Sequence, residues 1–132
     1  MKRALLMMVV GLAARWAQAD GPAVDGKMLF AKNCAACHQA SGAGIPGAFP
    51  ALKANVYLQG EPALVIATVL KGRAGMPAFA SSLDDNALAA VLSYARSAWG
   101  NQASAISGAQ ASTVREGAAL AASTQEKGTI IH

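Results

Sequence analysis

The feature that most constrains this chain is a pentapeptide that holds both of its cysteines, Cys34-Ala35-Ala36-Cys37-His38. Two thiols at this spacing, followed at once by an imidazole, are the attachment signature of c-type haem. The chemistry needs the three groups together: the thiols add to two vinyl groups on one porphyrin edge, and the next residue turns an imidazole under the iron. A short turn of helix lets all three side chains reach those points without strain. Two other readings of these residues are weaker. A zinc site needs four ligands, and outside the motif only His132 and scattered carboxylates remain. A thioredoxin-like dithiol sits in a strand–helix unit, whereas no β-branched strand precedes Cys34.

The chain starts with Met1-Lys2-Arg3, runs apolar from Ala4 to Ala14, and reaches Ala17-Gln18-Ala19 before Asp20. A positive start, an apolar run and a small-x-small site make residues 1–19 a cleavable signal peptide. The apolar run is shorter than the roughly twenty residues of a membrane span, and no later segment is apolar enough to cross a bilayer. The mature chain is therefore expected to be exported, with no stable membrane span. Lys2, Arg3 and Arg15 lie in the leader, so from Asp20 onward 8 basic residues face 7 acidic ones. A nucleic-acid-binding protein would keep a basic excess after processing, which excludes that class.

The 54% hydrophobic content overstates the core, because 32 of the 132 residues are alanine. From Asp20 onward only 28 residues are Val, Ile, Leu, Met, Phe, Tyr or Trp, and five of those follow Trp99. So small a core often needs a staple such as a disulfide, a metal or a cofactor. A covalently held haem would be that staple.

What the iron does depends on its second axial ligand. After the leader there are two methionines, Met28 and Met76. Met28 is six residues before Cys34, tethered too close to reach the opposite face. Met76 lies in Lys71-Gly72-Arg73-Ala74-Gly75-Met76-Pro77-Ala78-Phe79, whose glycines and proline suit an irregular loop able to present a thioether. His132 is a weaker competitor. A thioether raises the reduction potential and fills the position where oxygen or peroxide would bind, so the expected function is electron transfer without substrate chemistry. An open or displaceable sixth position would instead suit a haem enzyme or a gas-binding protein.

Between His38 and Lys53 lies a Gly/Pro-rich loop with no helix pattern of its own, expected to wrap the histidine side of the haem. A metal-bound histidine generally donates its other N–H to a carbonyl. Pro50 is the first choice of acceptor and Pro46 the second.

The remaining pattern is all-α. Asp20-Gly21-Pro22 reads as a helix start, with the helix over 23–33 carrying Gly26 and Phe30 on one face. A second helix fits Pro62 to Lys71, with Leu64, Val65, Thr68 and Val69, after a short turn near Asn55–Leu58. A third starts at an Asp84 N-cap and carries Leu88, Val91, Leu92, Ala95 and Trp99 in helical register, with Tyr94 beside them and Gly100 as the stop. The expected packing crosses this face with the first helix at Gly26 and Phe30.

With these pieces in order, the chain resembles a class I cytochrome c, the small His/Met monohaem type. The matching residues are Gly26 and Phe30, Cys34 to His38, Phe49-Pro50-Ala51-Leu52, Gly75-Met76-Pro77-Ala78-Phe79, and Leu92-Ser93-Tyr94-Ala95-Arg96-Ser97-Ala98-Trp99-Gly100-Asn101. They cover about residues 22–101, so the cytochrome domain is expected over 20–101.

The resemblance implies one haem c held by Cys34 and Cys37, His38 and Met76 as axial iron ligands, and the Pro50 carbonyl on the histidine. It is similar to periplasmic bacterial electron carriers and to cytochrome subunits of larger dehydrogenase or reductase complexes. That implies redox protein partners, with a donor dehydrogenase and an acceptor oxidase or reductase, and a periplasmic place that allows peripheral attachment to the cytoplasmic membrane. Lys27, Lys32, Lys53, Lys71 and Arg73 could form a basic rim that steers an acidic partner. Residues 102–132 extend beyond the usual core. Their Ala/Ser/Gly/Gln-rich composition predicts a mostly mobile extension, with a short docking helix around Val114 and Arg115.

Overall fold

The computed structural model describes residues 23–129, so the expected leader (1–19) and His132 lie outside the described residues. Five helices follow in order: α1 (Gly26–Asn33), α2 (Ala35–His38), α3 (Pro62–Lys71), α4 (Asp85–Ser97) and α5 (Gly108–Thr129). Among the described residues there is no strand, only isolated bridges from Ile45 to Phe49 and from Arg73 to Met76.

The helix starts are set by side chains that satisfy the free N–H groups of a first turn. In α4 the Asp84 carboxylate accepts from the Ala87 N–H at 2.8 Å. The first helix starts later than expected. Asp25, not the Asp20–Pro22 segment, is its N-cap and accepts from the Met28 N–H at 3.1 Å. The third expected helix also ends early, at Ser97, because Ala98 is extended and Trp99 takes φ +55°. Helix α3 has its expected bounds, with Val65, Ile66 and Leu70 buried and Leu64 exposed.

Helices α1 and α4 cross as the sequence suggests, and Gly26 is the reason they can. A β-carbon there would collide with the Ala90 carbonyl oxygen and sit 3.0 Å from the Tyr94 β-carbon. Beyond the crossing, Phe30, Tyr94 and Trp99 form a triangle with ring centroids 5.1–5.7 Å apart, in tilted and edge-on arrangements that aromatic rings favour. The Trp99 indole N–H donates to the Ala40 carbonyl at 2.9 Å, which ties the chain just past His38 to the end of α4.

Two buried polar side chains organise the loops. Arg96 is almost wholly buried and donates to the carbonyls of Leu58, Gly60 and Ser104 at 2.6, 2.9 and 2.8 Å. Asn101 accepts from the Ala54 N–H at 2.9 Å and donates to the carbonyls of Leu52 and Ala95 at 3.0 and 2.9 Å. Four of these six bonds join segments 36 to 49 residues apart in sequence, so the guanidinium and the amide do for these loops what strand pairing does in a sheet.

The C-terminal extension departs most from its expected form. Gly108–Thr129 is a continuous helix, longer than the short docking helix expected around Val114 and Arg115, and its first turns pack on α3 and α4, with Ile106 and Ala111 buried and Val114 partly so. Its start is a reciprocal capping box: Gln110 accepts from the Ser107 N–H at 2.9 Å, and the Ser107 hydroxyl accepts from the Gln110 N–H at 3.2 Å. Alanine, the commonest residue of this stretch, is the best helix former. Once the cap and the apolar contacts at Ile106 and Ala111 fix the start, the helix propagates.

The Gly26 crossing gives a direct test. Overpacking costs about 1–3 kcal/mol, against a helix-propensity gain of up to about 1 kcal/mol for alanine over glycine. Because the obstacle is a backbone carbonyl, Gly26→Ala is expected to destabilise the haem-loaded protein by about 2 kcal/mol in denaturant titration. Unchanged or increased stability would show that the helices do not cross this closely.

Candidate haem-binding site

Helix α2 hangs directly from α1, with Cys34 ending one and opening the other. The Cys34 carbonyl accepts from the N–H groups of Cys37 and His38 at 3.2 and 2.9 Å, closing one tight turn around the motif. Both cysteines are free and half-buried. Burial, and to a smaller extent Cys37, pushes the Cys34 thiol up to about 11. Below that pH it is a neutral thiol, and disulfide exchange runs through the thiolate. The turn therefore does not favour closure of a Cys34–Cys37 disulfide by attack from Cys34.

His38 is buried, and its Nδ1 is 2.9 Å from the Pro50 carbonyl oxygen. A carbonyl can only accept, so Nδ1 carries the proton and the Nε2 lone pair is left for a metal. The acceptor is Pro50 and not Pro46.

Gly44 explains how the loop brings Pro50 there. Its N–H donates to the His38 carbonyl at 2.9 Å, and its φ is +63°. A β-carbon at Gly44 would press on the Phe49 carbonyl oxygen and stand 2.6–2.7 Å from the Pro50 carbonyl group. Gly44 was not singled out by the sequence, which shows only a Gly/Pro-rich run. Its spacing from His38 was the available signal.

Met76 sits on the opposite side of the loop system in sequence, at the end of a closed turn. Arg73 and Met76 exchange both backbone hydrogen bonds, 3.1 Å from the Arg73 N–H and 2.9 Å from the Met76 N–H. Gly72 lies so close under this strap that a β-carbon would stand 2.6 Å from the Met76 carbonyl oxygen. Farther on, the Phe79 N–H donates to the Val69 carbonyl at 3.0 Å and fastens the strap to α3. The Arg73 guanidinium is 5.7 Å from the centre of the Tyr57 ring, a cation–π distance, and the Tyr57 hydroxyl bonds to Thr68 at 2.7 Å. Met28 is 67% exposed on α1, whereas Met76 is half-buried.

These residues fit a haem by the chemistry of their donors. Two unpaired thiols share one helical turn, an imidazole has its far nitrogen already committed, and a thioether is carried on a braced strap. The segment between His38 and α3 also leaves Ile45, Phe49 and Val56 on the surface, Val56 at 87% exposure. Such a concentration of exposed apolar side chains in a small domain marks a binding surface.

Comparison with known proteins agrees. Residues 21–94 match the family model described as cytochrome c oxidase, cbb3-type, subunit III. The chain is 38% identical over 119 residues to cytochrome c-552 of Thermus thermophilus, covering 76% of this chain and 74% of that one. It is 36% identical over 90 residues to the cbb3-type oxidase subunit CcoP of an Azospirillum species, covering 62% of this chain but 30% of the relative. It is 28% identical over 99 residues to the cytochrome c subunit of a quinone alcohol dehydrogenase from Gluconacetobacter polyoxogenes, covering 66% of this chain and 21% of that one. The chain belongs to the cytochrome c family. It is an electron-transfer protein with covalently bound haem c, a redox carrier and not a catalyst.

The Pro50 contact yields a second test. Gly44→Ala combines a left-handed backbone with pressure on the Pro50 carbonyl, and is expected to cost about 1–3 kcal/mol. A weaker bond to Nδ1 makes the imidazole a poorer donor, so the midpoint potential should rise. Spectroelectrochemical titration showing an unchanged potential would separate Gly44 from the histidine.

Proposed function

We propose that the chain is a periplasmic one-electron carrier in which Cys34 and Cys37 hold the haem through thioethers and His38 and Met76 ligate its iron. When bound, the haem supplies a one-electron Fe(III)/Fe(II) couple at the protein surface. The chain's own residues do the rest. His38, with Nδ1 donating to Pro50, offers Nε2 in a fixed orientation. Met76, held by Arg73 and backed by Gly72, supplies a soft neutral ligand that favours the ferrous state and occupies the position an exogenous ligand would need.

The observation that carries the reading is the state of Met76. Among the described methionines it alone is sheltered, and its backbone is bonded on both sides into a closed turn. Ferric wild-type protein should show the weak long-wavelength thioether-to-iron absorption band, and Met76→Ala should lose it. Absence of the band from wild type, or its survival in the variant, would overturn the assignment of Met76.

The periplasmic placement rests on the leader at 1–19, and the expected mature chain begins at Asp20. No helix among the described residues is long and apolar enough to cross a membrane. The relatives include an oxidase subunit and a dehydrogenase cytochrome subunit, which supports service to a membrane oxidoreductase, as a free carrier or as a bound redox subunit. Lys27, Lys32, Lys53, Lys71 and Arg73 are all exposed. A rim of cations steers encounter with an acidic partner and is screened by salt. The bimolecular rate of electron transfer to a purified acidic redox partner should therefore fall steeply as ionic strength rises. A rate independent of salt would end the basic-rim idea while leaving the haem ligands untouched.

A further inference from the structure

We propose that Arg115, on the C-terminal helix, is a positioning residue for Met76: α5 clamps the turn behind the ligand strap and holds the thioether against displacement. The inference rests on the reading of Met76 as an iron ligand. Its starting point is the use of the guanidinium. Nε donates to the Asp85 carboxylate at 2.7 Å, Nη1 to the Ala80 carbonyl at 2.6 Å, and Nη2 to the Leu83 carbonyl at 2.7 Å. All three nitrogens reach one short segment, from 32 to 35 residues away in sequence for the two carbonyls. A planar fork with fixed donor directions fits such a fold of backbone in one arrangement, and bonds from a charged donor are stronger than neutral ones.

The segment it grips is the rear anchor of the strap. The N–H groups of Ser82 and Leu83 donate to the Phe79 carbonyl at 3.2 and 3.1 Å, so residues 79–83 form one turn. Only Pro77 and Ala78 separate that turn from Met76, and Pro77 has a fixed φ. Movement of the turn is therefore passed to Met76 with little slack. The front anchor, the Arg73–Met76 turn over Gly72, is local to the strap. The rear anchor is closed by a residue of the C-terminal extension. Helix α5 is itself seated by buried Ala111 and by the Ser107–Gln110 cap, so the fork rests on a fixed base. Asp85 and Arg115 are both about one-third exposed. The ion pair alone is thus worth little, and the two carbonyl bonds carry the clamp.

The test is displacement of the thioether by imidazole in the ferric, haem-loaded full chain, read from loss of the long-wavelength band. Arg115→Ala is expected to bind imidazole about tenfold more tightly than wild type, because the bound form no longer has to break the clamp. Arg115→Lys keeps the charge near Asp85 but cannot span both carbonyls, and should fall between the two. Leu92→Val, which trims buried core volume from α4, should lower the denaturation midpoint and leave imidazole affinity within about twofold of wild type. Equal imidazole affinity in wild type and Arg115→Ala would overturn the proposal. So would a rise in Leu92→Val as large as in Arg115→Ala, since the effect would then be general loosening. If Arg115→Ala does not fold, Arg115→Lys decides by the same readout, with wild-type affinity overturning the proposal. A wild-type protein without the band fails at the earlier step, in the assignment of Met76 itself, and that outcome is distinct from an intact band indifferent to Arg115.

Discussion

Helices α1 and α4 meet backbone to backbone at Gly26 and Ala90, and the placement of the haem-binding residues follows from that contact. Helix α2 is only four residues long and shares Cys34 with α1, so whatever fixes α1 fixes the motif. A bulkier residue at the crossing would move the far end of α1, and the two thiols with it. The aromatic triangle of Phe30, Tyr94 and Trp99 then fills the space opened beside the crossing. Through its indole N–H, Trp99 reaches the carbonyl of Ala40 just after His38. One close approach between helices thus controls a site made mostly of loops.

Those loops lack regular secondary structure and need other partners for their backbone groups. Arg96 and Asn101 supply them from α4 and the residues just after it. Among the described residues no buried side-chain nitrogen or oxygen lacks a partner, so the desolvation of a buried guanidinium is offset by three carbonyls that would otherwise be orphaned. The arrangement costs hydrophobic volume in a core that is already small. In return it sets the path of residues 52–60, which lead into α3 and so to the Met76 strap.

How much of this was legible in the sequence depends on the range of the interaction. The Cys34–His38 turn, the Asp84 cap and the span of α3 are local, and local chemistry announces them. The α1–α4 crossing was also readable, because a glycine inside a helix asks for a reason and an amphipathic stripe asks for a partner. Gly44 and Gly72 were not, since their value lies in carbonyls four to six residues ahead whose position only the folded loop reveals. Which apolar residues of α3 face inward was not legible, because they lie on more than one side of the helix and the fold covers Val65, Ile66 and Leu70 while leaving Leu64 exposed. At the tail, a long helix runs where a short one was expected. Ser107 and Gln110 form a cap that sequence spacing shows, but two of the three partners of Arg115 are backbone carbonyls, which leave no trace in residue identity.

An electron carrier works best when its ligands move little between oxidation states, because every displaced atom adds to the barrier for transfer. The two sides of this site reach that rigidity differently. On the histidine side a single hydrogen bond between His38 and Pro50 fixes the ring, and Gly44 lets the acceptor approach. A thioether accepts hydrogen bonds only weakly, so Met76 is not fixed in the same way and its position must come from the backbone that carries it. That backbone is bonded at Arg73, pressed against Gly72, fastened to Val69 through Phe79, and closed from behind by Arg115. On the proposed ligation, the more weakly held ligand therefore has the longer support, reaching into α5. The distal ligand is then kept in place through the backbone that carries Met76.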